Sequence, residues 1–137
     1  MKRTVAFVAG LALVLGAGSA AAAGPAGTLT IRHQMRGCHT WSYNGNAFKA
    51  AQTIRLTRGS TITVVDNDVM SHQLIQKSGP EARFAGNRTM GHIGASSKVT
   101  FPKAGIYTFT TKAGEDYMKG VMTMGDDNVL TLKVVVS

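Results

Sequence analysis

The fold is decided by Leu56–Leu74, which reads LTRGSTITVVDNDVMSHQL. Thr53–Thr57, which runs into this stretch, alternates apolar and polar residues as a half-buried strand does, and Thr61–Val65 is the next β-rich segment. Arg58-Gly59-Ser60 separates the two segments and predicts a turn. The stretch therefore predicts two strands joined by a turn, and a short connection that leads to a further strand beginning at His72.

The rest of the chain, outward from this stretch, also consists of short β-rich segments separated by Gly, Asn and Asp. The predicted strands are Thr28–His33, Thr53–Thr57, Thr61–Val65, His72–Gln76, Lys98–Phe101, Ile106–Thr111 and Val129–Val136. No helical pattern is longer than a turn or two, so we expect an all-β sandwich or barrel of about seven to eight strands. Two connections, Gln34–Gln52 and Lys112–Asn128, are longer than most loops in compact domains, which is typical of functional or disordered segments.

The 137 residues suffice for a single domain preceded by a targeting segment. Met1–Ala23 has the form of a secretory signal peptide, with a basic start, an uncharged run at Val5–Leu15 and small residues ending in Ala21-Ala22-Ala23. The apolar run is shorter than the roughly 20 residues that a membrane-spanning helix needs. We therefore predict an exported protein, periplasmic or secreted, whose domain is Gly24–Ser137 and which has no membrane span.

Composition and charge exclude several function classes. The chain is 44% hydrophobic and 16% charged, which supports a packed core and excludes a disordered chain. The formal charge is +8, but the basic residues are scattered and form no nucleic-acid-binding motif, so nucleic acid is not an expected partner. The single cysteine, Cys38, excludes an intrachain disulfide and a four-cysteine zinc site. We expect a monomer.

Two motifs carry a resemblance to a known family. Leu56–Leu74 resembles the cupredoxin (blue-copper) family, in which a G-D/S-T-V-T-V strand leads into an N-x-D-x-x-x-H segment whose histidine binds copper. Phe101–Phe109 resembles the F-x-x-P-G-x-Y-x-F hairpin of the same family. The resemblance covers about Leu29–Val136 and implies a cupredoxin-like Greek-key β-sandwich, with His72 as a copper ligand and one-electron transfer as the activity.

The chain departs from the family after the hairpin, where cupredoxins have a cysteine, then a histidine, then a methionine. Thr110 or Thr111 occupies the cysteine position here, and no histidine follows His92. Met118 lies in a Y-M-K-G sequence similar to the family's M-x-G, and Glu115 falls near the position of the lost histidine. Two of the four usual ligands are therefore missing.

A second set of metal-binding residue types lies in His33-Gln-Met-Arg-Gly-Cys-His39, in the first long connection. Thiolate, thioether and imidazole donors together suit copper. In the cupredoxin topology the first and third predicted strands are parallel, which brings this segment to the same end of the sandwich as His72, and the connection through His92 reaches that end too. We therefore predict a rewired site for one copper ion, cycling between Cu(II) and Cu(I), and leave open whether His33, His39, His92 or Glu115 completes it. The predicted ligands are Cys38, His72, His39, His33 and Met118.

The sequence supports two functions of different classes. The first is an exported copper-binding protein, not an enzyme, that acts in electron transfer or copper handling with a redox partner or a copper donor or acceptor protein. The second is a metal-free module of the same fold with a structural or interaction role in the cell envelope, in which Cys38 lies away from His72 or pairs with a partner chain. A hydrolase nucleophile elbow and a phosphate-binding glycine loop are both absent from the sequence.

Overall fold

A computed structural model describes residues 24–33, 39–113 and 129–137. Within these ranges all of the regular secondary structure is β-strand, which confirms the all-β prediction. The ten strands are β1 (Pro25–His33), β2 (His39–Tyr43), β3 (Ala51–Leu56), β4 (Thr61–Asn67), β5 (His72–Ser78), β6 (Arg83–Ala85), β7 (Thr89–Met90), β8 (Ser96–Thr100), β9 (Gly105–Ala113) and β10 (Thr131–Val136). No helix long and apolar enough to cross a membrane occurs in the described part of the chain.

The strands form two five-stranded sheets. The first has the order β2-β1-β4-β8-β6 and the second the order β3-β10-β9-β5-β7. Within the first sheet β1 pairs with β4 in parallel, with Ile31 opposite Asp66 and Arg32 opposite Asn67. The parallel pairing of the first and third predicted strands is thereby confirmed, and it brings the carboxyl ends of β1 and β4 to one end of the sandwich.

The structure contains three short strands beyond the predicted seven, namely β2, β6 and β7. β2 lies inside Gln34–Gln52, which was predicted as a connection, and pairs antiparallel with β1 so that His39 lies opposite His33. All but one of its five residues are buried, so it lacks the alternating pattern by which a half-buried strand is recognised in sequence. Of the second predicted connection, Lys112 and Ala113 belong to β9, and residues 114–128 lie outside the described residues.

The core fills the space between the sheets with large apolar side chains. Trp41, Phe101 and Tyr107 are fully buried, and the Phe101 ring meets the Tyr107 ring edge to face at a centroid distance of 5.0 Å. The predicted turn before β4 is present, since Gly59 has a φ of 84° and the N–H of Ser60 donates to the carbonyl of Thr57.

On each core strand every second side chain points between the sheets, and this pattern continues to the end of the sandwich. On β4 the buried positions Ile62 and Val64 are followed by Asp66, and on β5 His72 shares the buried face with Leu74. On β2 the histidine at the strand start shares a face with buried Trp41. The same two-residue period that builds the core thus places polar side chains between the sheets at this end.

Candidate metal centre

A cluster of histidines and carboxylates lies between the two sheets at the end where β1 and β4 finish and β5 begins. The first sheet contributes His33 at the end of β1 and His39 at the start of β2. Asp68 follows β4 directly, and His72 begins β5 in the second sheet. The parallel β1–β4 pair and the short connection from β4 to β5 bring these four residues together.

Asp68 is the centre of the cluster and is buried. Its Oδ2 lies 2.8 Å from Nδ1 of His39 and 3.0 Å from Nε2 of His72. Its Oδ1 accepts the N–H of Met70 at 3.1 Å and lies 3.7 Å from Nδ1 of His33. One carboxylate therefore contacts all three histidines.

His72 is fully buried, and both of its ring nitrogens have partners. Nε2 faces Asp68, and Nδ1 lies 3.1 Å from Oγ1 of Thr111. Thr111 stands on β9, opposite Leu74 of β5, and is one of the two residues at the position of the cupredoxin cysteine. The ring of His39 meets the ring of His72 edge to face, with centroids 4.7 Å apart. The site thus joins the two sheets through adjacent imidazoles.

His33 differs from the other two histidines in its exposure. Its side chain is 41% exposed, whereas the side chain of His39 is 8% exposed and that of His72 is fully buried. The His33 ring lies 6.2 Å from the His39 ring. The cluster therefore reaches solvent at His33 and is closed on the side of β5.

The pKa values of the two carboxyl groups in the cluster, Asp66 and Asp68, are shifted in opposite directions. Burial would raise the pKa of Asp68, but hydrogen bonds from His39, His72 and the Met70 N–H more than offset it, so the pKa lies below its ordinary value. Burial raises the pKa of Asp66, although the N–H of Asp68 donates to its Oδ1 at 2.9 Å. Oδ2 of Asp66 is buried and has no hydrogen-bond partner among the described residues. Asp68 is therefore the more easily ionised of the two carboxyls, and Asp66 shapes the turn beside it.

The donor atoms fit a metal ion. One ligand atom each from His33, His39 and Asp68 lie within 4.8 Å of one another. In a tetrahedral site with bonds of about 2.0–2.1 Å, neighbouring ligand atoms lie about 3.3 Å apart, so small side-chain adjustments bring these atoms to ligand spacing. Imidazole nitrogens with one carboxylate suit copper, zinc and nickel. The donor chemistry therefore agrees with the copper that the cupredoxin resemblance implies.

The structure brings together three of the predicted site residues, namely His33, His39 and His72. Cys38 and Met118 lie outside the described residues, as does Glu115, and remain predictions. The loop carrying His92 does reach this end, because the N–H of Gly94 donates to the carbonyl of Asp66. His92 itself is exposed, with Nδ1 3.0 Å from the carbonyl oxygen of Ile93, and no contact joins it to the cluster in the described part of the chain.

Asp68 is the residue of the cluster that the sequence reasoning did not select. Two signals pointed to it: its place in the acidic turn after a buried strand, and its spacing of four residues before His72. Neither signal distinguishes a turn-forming aspartate from one that accepts hydrogen bonds from imidazoles, because aspartate is common in turns. The assignment requires the position of His39, which comes from another strand.

No family model and no curated protein sequence matches the chain. Solved structures are similar to it at low identity. Amicyanin from Paracoccus versutus is 20% identical, with a TM-score of 0.40, over 82% of this chain and 84% of that one. Reduced rusticyanin is 15% identical, with a TM-score of 0.40, over 80% of this chain and 78% of that one. A Cu-containing nitrite reductase from Thermus scotoductus is 18% identical, with a TM-score of 0.46, over 80% of this chain and 27% of that one.

A sandwich of two β-sheets with β1 parallel to β4 is the architecture that the sequence resemblance implies, although it has ten strands rather than seven to eight. The chain therefore has a divergent cupredoxin-like fold.

Proposed function

We propose that this protein binds one copper ion at the His33, His39 and His72 end of the sandwich. The observation that carries the proposal is the convergence of three histidines and one buried carboxylate, from four separate places in the chain, onto one site. Three imidazoles around one buried carboxylate are uncommon as packing, since histidine and aspartate rarely fill a core without a specific role.

Cys38 and Met118 complete the proposed ligand set. Cys38 directly precedes His39 in the sequence, and an unpaired thiol in an exported protein is exposed to oxidation unless metal ligation or pairing protects it. Met118 would supply a weak thioether donor, as the family resemblance implies. A soft thiolate beside imidazoles favours copper over the harder divalent ions.

Copper supplies one-electron chemistry when bound, because it cycles between Cu(II) and Cu(I). The chain's own residues prepare the site for this chemistry. His72 and His39 are held on strands of opposite sheets and shielded from water, which limits their movement. His33 reaches solvent and offers a path to a partner molecule, either a redox protein or a copper donor or acceptor.

Electron transfer and copper handling make different demands on this site. Electron transfer needs a rigid set of ligands that barely moves between oxidation states, which the strand-held His39 and His72 favour. Copper handling needs an exposed, exchangeable ligand, which His33 favours. Both roles belong to a binding protein rather than an enzyme. We further propose that Met1–Ala23 exports the protein and that Gly24–Ser137 is the mature, monomeric domain.

The test is a Cu(II) titration of the purified protein followed by optical spectroscopy, with Cys38→Ser and His72→Ala alongside. The proposal expects a stoichiometric thiolate-to-copper charge-transfer band that both variants abolish. His92→Ala is the matched control, because this histidine is exposed and lies outside the described cluster, and it should leave the band unchanged. If the unaltered protein shows no band and binds neither Cu(II) nor Cu(I) tightly, the copper function is wrong.

A metal-free module is the second candidate, and one observation favours it. Both ring nitrogens of His72 already have partners within the protein, Asp68 and Thr111, so this histidine is satisfied by hydrogen bonds without an ion. In that case the His–Asp cluster ties the two sheets together. The same titration separates the candidates, and a disulfide from Cys38 to another chain on non-reducing gels would support the module.

A further inference from the structure

A groove lined by basic and aromatic side chains lies where β5 ends, beside the short strand β6. Its lining includes Gln76, Lys77, Glu81, Phe84 and Arg88, and none of these residues belongs to the proposed metal site. The groove is open to solvent and about 360 Å³ in volume, which is the size of a site for a small molecule or for one unit of a polymer.

Arg88 is held in this groove by an aromatic ring rather than by a carboxylate. Its guanidinium carbon lies 3.8 Å from the centroid of the Phe84 ring, and Phe84 packs edge to face against buried Phe109 at a centroid distance of 6.3 Å. Stacking covers one face of the guanidinium and leaves the N–H groups at its edge for another partner. Arg88 is exposed and forms no ion pair within residues 24–33, 39–113 and 129–137.

The loop that follows β5 gives the groove a fixed shape. The side-chain amide of Gln76 donates to the carbonyls of Ser78 and Pro80 at 3.2 Å and 2.6 Å, and its Oε1 accepts the N–H of Ala82 at 3.1 Å. Gly79 in this loop has a φ of +98° and lies so close to β9 that a Cβ would collide with the backbone of that strand. The groove is therefore preformed, so a ligand does not have to order the loop on binding.

We propose that this groove binds an oxyanion through Arg88 and Lys77, namely the carboxylate, sulfate or phosphate group of a small molecule or of an anionic polysaccharide. A planar guanidinium matches two oxygens of such a group with two parallel N–H donors. Lys77 is exposed and adds a second positive charge to the same groove. The formal charge of +8 on the chain also raises the concentration of anions around the protein.

Glu81 makes the proposal specific to this groove. It is exposed, lines the same groove and forms no ion pair in the described part of the chain. Its carboxylate repels an anion bound at Arg88, so it limits the affinity. Removing the charge of Glu81 should therefore strengthen oxyanion binding, whereas removing the charge of Arg88 should weaken it.

The first experiment titrates the ¹⁵N-labelled, chelator-treated protein with sodium sulfate and with sodium phosphate, followed by NMR, with sodium chloride at equal ionic strength as the reference. The expected result is a saturable shift of the Arg88 Nε–H and of the backbone amides of residues 77–82, which chloride does not produce. Absence of a saturable shift in the groove with both oxyanions would overturn the proposal.

A second titration distinguishes the two sources of the oxyanion, with dextran sulfate as the probe and uncharged dextran as its control. Stronger binding per sulfate group to dextran sulfate than to free sulfate assigns the groove to an anionic polysaccharide, and equal binding assigns it to a small molecule. Equal shifts with uncharged dextran would mean that the groove recognises sugar rather than the oxyanion, which contradicts the proposal.

Three variants test the residues. Arg88→Gln should weaken sulfate binding about 10-fold, because it removes a charged, two-pronged donor. Glu81→Gln should strengthen it about twofold. Arg55→Gln is the matched control, because it removes the same charge from an exposed position on β3 outside the groove, and it should change the affinity less than Arg88→Gln does.

The variants separate a site from a general response to charge. If Arg55→Gln weakens binding as much as Arg88→Gln, or if Glu81→Gln leaves it unchanged, sulfate responds to net charge and the groove is not its site. The side chains of all three altered residues are exposed, so the fold should survive, and the amide spectrum of each variant verifies this. These titrations use no metal, so their result does not depend on the copper proposal.

Discussion

Replacing Thr111 with valine should weaken the fold and strengthen metal binding at the same time. Thr111 faces His72 from β9, and its Oγ1 lies 3.1 Å from Nδ1, the ring nitrogen that does not face Asp68. In the metal-free protein this hydrogen bond stabilises the buried imidazole. A metal ion at Nδ1 would have to replace it.

The size of the effect follows from this one hydrogen bond. A net hydrogen bond of this kind is worth about 1 kcal/mol, and valine has nearly the shape of threonine without the donor. The free energy of unfolding of the metal-free protein should therefore fall by about 1 kcal/mol, or about 4 °C in Tm. The dissociation constant for copper should fall about fivefold, because binding no longer breaks the Thr111–His72 hydrogen bond.

The assay combines thermal unfolding of the chelator-treated protein with a copper competition titration against a coloured chelator. Thr110→Val is the matched control on the neighbouring residue. Its Oγ1 is buried without a hydrogen-bond partner among the described residues, so removing it should not weaken the fold and should leave copper affinity unchanged.

Two results would contradict the reasoning. If Thr111→Val weakens copper binding, the hydroxyl helps to hold the ion, and a copper ion does not replace the Thr111–His72 hydrogen bond. If Thr111→Val and Thr110→Val behave alike in both assays, the contact with His72 has no energetic role.

Three further predictions test other parts of the molecule. His33→Ala should lower copper affinity, measured by calorimetric titration, yet change the free energy of unfolding by less than about 1 kcal/mol, because its side chain is 41% exposed; a large loss of stability would make it a structural residue instead. Asp66→Asn should stabilise the chelator-treated protein at neutral pH, because burial raises the pKa of this carboxyl and its ionised form is costly. That gain should disappear as the pH falls through the raised pKa, and urea unfolding at neutral and acidic pH that shows a constant gain would disprove it. Gly79→Ala should cost more than about 1 kcal/mol in thermal unfolding, since φ is +98° and a Cβ would lie 2.8 Å from Cα of Tyr107; Gly45→Ala, with φ +75° and open space around it, should cost less.

The alternating segments of the chain were predicted well because alternation reports burial directly. Thr53–Thr57 and Thr61–Val65 correspond to β3 and β4, and the turn between them has the positive φ that glycine allows. β2 was missed because it is buried on both faces and carries polar residues such as His39 and Ser42 there. A pattern of exposed and buried positions does not exist in such a strand, so periodicity could not reveal it.

Only part of the site was predicted, because residue types can be identified in the sequence but contacts between distant strands cannot. His33 and His39 were selected from the residue types that crowd around Cys38, and His72 from its resemblance to a family ligand. Their meeting point depends on the parallel pairing of β1 with β4, which sets residues more than thirty positions apart side by side. Asp68 could not be selected, because its partners come from β2 and β5.

The sequence by itself determined seven of the strands, the turn before β4 and the set of candidate metal-binding side chains, since local alternation and residue chemistry do not depend on distant contacts. Only the tertiary structure decided which of those side chains meet. It brought His39 and His72 onto one carboxylate oxygen and left His92 exposed at the same end. The physical reason is that hydrogen-bond geometry between imidazole and carboxylate is set to within a few tenths of an ångström, and only the register of strands in two packed sheets fixes positions that finely.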